Sequence, residues 1–240
     1  MKTLPFLLIL VLVGCAKESI SNSDNTFSDS RDNHVYKSVI IGTQTWMAEN
    51  LAYLPSVVPS SDADGLISFA LYYVYDYEGR IVSEAKKKRN YTLYGVLYNW
   101  EAAKVACPSG WHLPTDKEWK ILETYLGMSQ TDADRDYVRD SGSIGKAMKS
   151  INKWSYNRNG DNSSGFSALP GGDRIDRDPG GVLSWSHPAG FSSLGRSAYF
   201  WSSSKVVNSA WSRNLVDNSD GVLRETEMLS LGFSVRCLKD

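Results

Sequence analysis

Asn99-Trp100-Glu101-Ala102-Ala103-Lys104-Val105-Ala106-Cys107-Pro108-Ser109-Gly110-Trp111-His112-Leu113-Pro114-Thr115-Asp116-Lys117-Glu118-Trp119 is the stretch on which the fold turns. Trp100, Ala103 and Cys107 recur at i, i+3 and i+7, one face of a helix, and Pro108-Ser109-Gly110 ends it. Thr115 to Glu118, directly after Pro114, is a capping box that opens a second helix. Trp119, Leu122 and Leu126 form its apolar stripe, and Gly127 supplies the C-terminal stop. Upstream, Val35–Ile41 reads as a strand, Gly42-Thr43 as a turn and Gln44–Met47 as a returning strand, so a hairpin opens the domain. Phe69–Tyr75 suggests a further strand, and Lys86–Arg89, among polar residues, a solvated loop. Beyond about residue 140 helical periodicity is lost and short apolar segments alternate with turns. The last of these, Gly232–Cys237, puts Phe233, Val235 and Cys237 on one face and Ser234 and Arg236 on the other. Two helices packed on short antiparallel sheets with long loops make an α+β domain.

The 240 residues, 42% of them hydrophobic, suffice for one large core. A net charge of −1 gives no support to a nucleic-acid partner, which needs a clustered excess of Lys and Arg. Met1-Lys2-Thr3 followed by the apolar run Leu4–Val13 has the form of a signal peptide over residues 1–14, too short to span a bilayer. It ends in Leu12-Val13-Gly14-Cys15, which resembles a bacterial lipobox. That resemblance implies a lipid on the Cys15 thiol and cleavage just before it, hence a membrane as partner. Residues 15–33, rich in Ser, Asn and Asp, read as a flexible tether, so the folded domain is expected over 34–240. Ala16 after the lipidated cysteine favours the outer membrane, by analogy with enteric sorting.

Of three cysteines, Cys15 is assigned to lipid. Cys107 and Cys237 face the predicted core and, in an oxidising compartment, are expected to pair. The three histidines, His34, His112 and His187, are isolated in sequence, and no metal-ligand spacing or nucleophile elbow is present. His112, between core-looking neighbours, reads as a structural histidine. Asp132-Ala133-Asp134-Arg135-Asp136 lacks the glycine and glutamate of a calcium loop, and Asp217–Gly221 is typical of a hairpin turn. The expectation is no metal, no cofactor and no catalysis. Trp46, Trp100, Trp111 and Trp119 are assigned to the core, while Trp185 and Trp201, in the loop-rich half, are candidates to meet a ligand.

Val39–Leu51 (VIIGTQTWMAENL), Tyr94–Trp100 (YGVLYNW), Cys107–Trp119 (CPSGWHLPTDKEW), Gly165–Gly172 (GFSALPGG) and Gly232–Cys237 (GFSVRC) together resemble the Fibrobacter succinogenes major paralogous domain. That family occurs in secreted and surface proteins of Fibrobacter and Bacteroidetes and has no established activity. The layout is also similar to the C-type-lectin-like fold, where a cysteine closing a Trp-x-x-Ala-x-x-x-Cys helix bonds one in the last strand. Trp111–Thr115 and Gly232-Phe233 resemble the formylglycine-generating branch of that fold. Those enzymes use a reactive cysteine pair, whereas this chain has only Cys237 late in the domain. The lectin calcium motifs are missing as well. The resemblance implies a lipid-anchored surface binding or adhesion module for a glycan or protein. Its recognition surface would lie on loops between about residues 141 and 230. A structural envelope spacer and a formylglycine-generating-type enzyme stand as alternatives.

Overall fold

The structure, a computed structural model, describes residues 25–63, 68–176 and 189–240. The opening hairpin forms as β2 (Val35–Ile41) and β3 (Gln44–Met47), antiparallel, with Gly42 at φ +63° in its turn, a conformation that glycine tolerates without strain. Joined by β1 (Thr26–Ser28), β6 (Trp111–His112) and β13 (Leu238–Lys239), they make a five-stranded sheet ordered β1-β2-β3-β13-β6. The last strand therefore inserts between the first hairpin and the segment that follows the first long helix. A second sheet is built from β7 (Tyr137–Arg139), β10 (Ser197–Val206), β11 (Ser209–Val216) and β12 (Val222–Met228), in the order β10-β11-β12-β7. Two short antiparallel pairs complete the strands, β4 (Tyr72–Tyr73) with β5 (Leu97–Tyr98) and β8 (Asp173–Ile175) with β9 (Gly190–Ser192). The chain is thus a mixed helix and sheet protein whose sheets are antiparallel, as the α+β reading expects.

Of the helices, α1 (Val82–Ala85) and α2 (Arg89–Tyr94) are short and flank the basic run, which is helix and turn rather than loop, though its charged ends remain in solvent. The two predicted helices are α3 (Trp100–Ala106) and α4 (Asp116–Tyr125). Asn99 caps α3 by accepting the Ala102 N–H at 3.0 Å. The capping box of α4 is complete: Thr115 Oγ1 accepts from Glu118 N–H at 3.2 Å, and Glu118 accepts from Thr115 N–H at 2.7 Å. Gly127, at φ +112°, follows its last turn. Two further short helices, α5 (Gln130–Asp134) and α6 (Ile144–Met148), lie in the region where sequence periodicity fails.

The core has two main parts. Trp46, Trp119, Phe166 and Phe200 form an aromatic cluster between α4 and the two sheets, with Trp119 4.7 Å from Trp46 and 5.9 Å from Phe200. Trp100, Ala103, Leu113, Trp201, Phe233 and Val235 fill the space under α3. Cys107 and Cys237 are joined in a disulfide there, tying the end of α3 to the segment that leads into β13 across 130 residues of chain.

One expectation is corrected. The domain does not begin at His34, because residues 25–33, assigned to the tether, are built into it. β1 pairs with β2, and Phe27 stacks on Trp111 at 4.1 Å. Asp29 is fully buried against Arg31, whose guanidinium donates to the Ala106 carbonyl at 2.7 Å. A polar composition concealed the segment, since its charge is paired internally rather than hydrated. The alternation of Gly232–Cys237 holds, but its polar side is not solvated: Ser234 and Arg236 are buried too. Arg236 donates to Asn50 Oδ1 at 2.8 Å and to the carbonyls of Met47, Phe166 and Ser167 at 3.1, 2.5 and 2.9 Å. One guanidinium so fastens three of the motifs to one another. Burial pulls its pKa down to about 9, which still leaves it cationic at neutral pH.

Candidate functional site

Charged groups in this interior follow a rule. Among the described residues the buried carboxylates are Asp29, Asp116, Glu123, Asp173 and Asp217. Asp29 holds Arg31 at 2.6 Å, and Asp217 has Arg196 at 3.6 Å. Asp116 binds Arg213 and Arg224, each at 2.8 Å. Glu123 binds Arg139 and Arg213, each at 2.6 Å. The last two acids sit on the inward face of α4, and their arginines rise from β7, β11 and β12, so this network bolts the helix to the second sheet. Burial works to raise the Asp116 pKa, but the two arginines outweigh it and hold the carboxyl well below the usual range. A buried ion is costly unless paired and hydrogen-bonded; Asp29, Asp116 and Glu123 meet both conditions, and Asp217 only the first, its Oδ2 accepting no hydrogen bond.

Asp173 does not. It opens β8, directly after the Gly165–Gly172 motif, is 5% exposed, and has no cation among the described residues. Its Oδ1 accepts no hydrogen bond. Burial, only partly opposed by a hydrogen bond from Ser193, pushes its pKa up to about 6. The groups around it have the same bias. Tyr199 on β10 feels the Asp173 charge, is raised to about 12 chiefly by burial, and stands opposite Asn214 on β11. Asn214, also 5% exposed, likewise leaves its Oδ1 without a partner. Further along the same face of the sheet, Glu225 stands opposite Ser212 and Glu227 opposite Ala210. Burial, reinforced by the charges of Glu225 and Asp173, pushes Glu227 up to about 7, and no cation among the described residues opposes it. Asn214, Glu225 and Glu227 therefore put a group of acceptors on one face of the second sheet, with Asp173 of β8 near it, and among the described residues none of them has an ion pair; Lys205, opposite Ala210 on that face, lies over the Trp100 ring instead.

This face ends at an open strand edge. β7 pairs with β12 only over Val222–Arg224, so among the described residues no strand pairs with Glu225–Met228 on that side. A groove of about 250 Å³ runs there, lined by Asp136, Tyr137, Trp211, Arg224, Glu225, Thr226 and Glu227. Tyr137 is 70% exposed, and Arg224 stacks on the Trp211 ring at 3.5 Å.

The sequence-derived candidates fare unequally. Trp201 is corrected: it is fully buried, its indole donates to the Tyr98 carbonyl at 2.8 Å, and its ring packs on Phe233, so it has no face to offer a ligand. An alternating strand in a loop-rich half does not reveal which of its two faces is covered, and Trp201 lies on the covered part. Trp185, His187 and Cys15 lie outside the described residues. Trp111 is half-buried rather than core, with β1 supplying its cover. His112 Nδ1 lies 2.7 Å from Asp240 and Nε2 3.1 Å from Glu118, so both ring nitrogens are engaged. Asp132, Asp134 and Asp136 pair with Arg135, Lys120 and Arg224 respectively. At the turn Asp217–Gly221 the Lys149 ammonium donates to the Val216 and Ser219 carbonyls at 2.9 and 2.6 Å. Among the described residues no three His, Cys, Asp or Glu side chains converge as metal ligands.

Sequence reasoning missed Asp173, Asn214, Glu225 and Glu227. The available signal was the period-two spacing of Glu225 and Glu227 in Val222–Met228, with Asp173 following a glycine pair. No curated protein and no solved structure matches the chain at a significant level. Residues 39–239, which carry the second sheet, all of the first except β1 and the start of β2, α3, α4, the disulfide and the acceptor face, match the Fibrobacter succinogenes major domain, and the chain belongs to that family.

Proposed function

We propose that the protein is a lipid-anchored module of the bacterial cell envelope, held through Cys15 and exposed on the outer membrane, whose domain binds a ligand and catalyses nothing. The observation that carries the binding role is the acceptor face of the second sheet. Among the described residues every other buried carboxylate has an arginine and Asp173 has none, while its charge reaches Glu227. Unpaired buried acceptors cost stability, and such a cost concentrated at one surface is the mark of a site that awaits a partner. The C-type-lectin-like reading is supported by the α3-to-terminal-segment disulfide, the helix pair and the antiparallel sheets. A formylglycine-generating role finds no support, because both cysteines of the domain are consumed in that disulfide.

Two experiments test the reading. Metabolic acyl labelling of wild type and Cys15→Ala, combined with protease shaving of intact cells, addresses the anchor: a labelled, protease-accessible protein that loses its label in the variant is expected. Unlabelled wild type would overturn the anchoring. The mature chain is then screened on glycan and envelope-protein arrays, where saturable retention of a ligand is expected. A domain that retains nothing is a spacer.

A further inference from the structure

The acceptor face and the open edge of β12 are two sides of one feature, and together they restrict the ligand. A strand added to Glu225–Met228 would project side chains alternately to the two faces of the sheet. On one face they meet Tyr137, Trp211 and the stacked Arg224. On the other they meet Glu225 and Glu227, and the field of Asp173 reaches that position as well. No metal-ligand set forms there among the described residues, so the missing positive charge is too extended a requirement for a bare ion. Within this chain, Asp29, Asp116, Glu123 and Asp217 are each met by an arginine guanidinium and none of them by lysine alone. The planar, multiply donating guanidinium suits several separate acceptors better than a point ammonium.

Building on the binding role proposed above, we propose that the edge of β12 takes an extended, arginine-bearing segment of a partner protein. The arginine would sit over Glu225 and Glu227 and pair with their carboxylates. Backbone pairing along the edge would supply affinity and the guanidinium would supply selectivity.

The test uses the mature full-length chain and three synthetic probes of about six residues. One alternates threonine and arginine, the second replaces arginine with its neutral isostere citrulline, and the third replaces it with glutamate. Calorimetric titration is combined with amide chemical-shift mapping. The arginine probe is expected to bind one-to-one, with shifts concentrated at Glu225–Met228, and the citrulline and glutamate probes to bind at least tenfold more weakly. Glu227→Gln and Asp173→Asn are each expected to lower affinity for the arginine probe at least tenfold. Glu101→Gln, which removes an exposed carboxylate on α3 paired with Lys104, is expected to leave it unchanged. Equal binding of the citrulline probe overturns the proposal without any variant having to fold. So do shifts confined elsewhere, or affinity untouched in both site variants. An array ligand retained equally by wild type, Glu227→Gln and Asp173→Asn leaves the binding module standing and removes only the arginine. An array that retains nothing removes the module itself.

Discussion

Replacing Asp173 by asparagine should make the unliganded protein more stable at alkaline pH, although it deletes a buried charged residue. Burial raises the Asp173 pKa from 3.8 to about 6, with no cation among the described residues to oppose it. The folded state therefore binds this proton more tightly than the unfolded chain does. Stability from that preference is full below about pH 4 and is lost as pH rises through about 6, so by pH 8 the penalty is fully in force. Two pKa units correspond to roughly 3 kcal/mol. The asparagine side chain would not ionise, would keep the shape, and could still bond Ser193. The variant is therefore expected to gain roughly 2–3 kcal/mol at pH 8, a rise in Tm of about 4–10 °C for a domain of this size, and to match wild type at pH 4. Urea unfolding of both proteins at the two pH values measures it, with unchanged slope as the check on two-state behaviour. A variant less stable than wild type at pH 8 would refute the reasoning, because Asp173 would then have a stabilising partner. The same substitution is expected to reduce ligand-induced stabilisation, so stability and binding should move in opposite directions.

Other perturbations probe the paired charges and the staple. Glu123→Gln leaves Arg139 and Arg213 buried with only the neutral part of their hydrogen bonding, and a loss of about 3–5 kcal/mol in urea unfolding is expected; a loss under about 1 kcal/mol would contradict the bolting role. Replacing Cys107 and Cys237 together by serine frees a 130-residue loop in the unfolded chain and should cost up to about 5 kcal/mol on the chain-entropy account, with equal Tm of oxidised and reduced wild type as the contrary result. At His112, partial burial lowers the pKa but is outweighed by hydrogen bonds with Asp240 and Glu118, which carry it above 6.5. A raised histidine pKa gives stability that is complete below about pH 6.5 and fades as pH rises through the folded value. The Tm advantage of wild type over His112→Gln should accordingly be larger at pH 5.5 than at pH 9, and a constant difference would assign His112 a packing role only.

How much of this was legible in the sequence follows from what each signal reports. Local signals were read correctly where one chemical device fixes one geometry. The capping box at Thr115–Glu118 is self-contained in four residues, Gly42 sits at the only kind of φ that its hairpin turn allows, and two cysteines in a core have one another to bond. What failed was every inference from polarity to exposure. Asn25–Asn33 and Arg236 look solvated in sequence because a lone chain cannot show that Asp29 will find Arg31, or that Arg236 will find Asn50 and three carbonyls from distant motifs. The converse error put Trp201 on the surface. Both errors share a cause: composition counts polar groups, whereas burial depends on whether they are paired, and pairing is non-local. That is also why the candidate site escaped. Asp173 is conspicuous only against Asp29, Asp116, Glu123 and Asp217, each of which has its guanidinium, and the comparison exists only once the partners are in place. A site of this kind is defined by one missing partner among many present, so it becomes visible when the ledger of buried charge is complete for the rest of the interior.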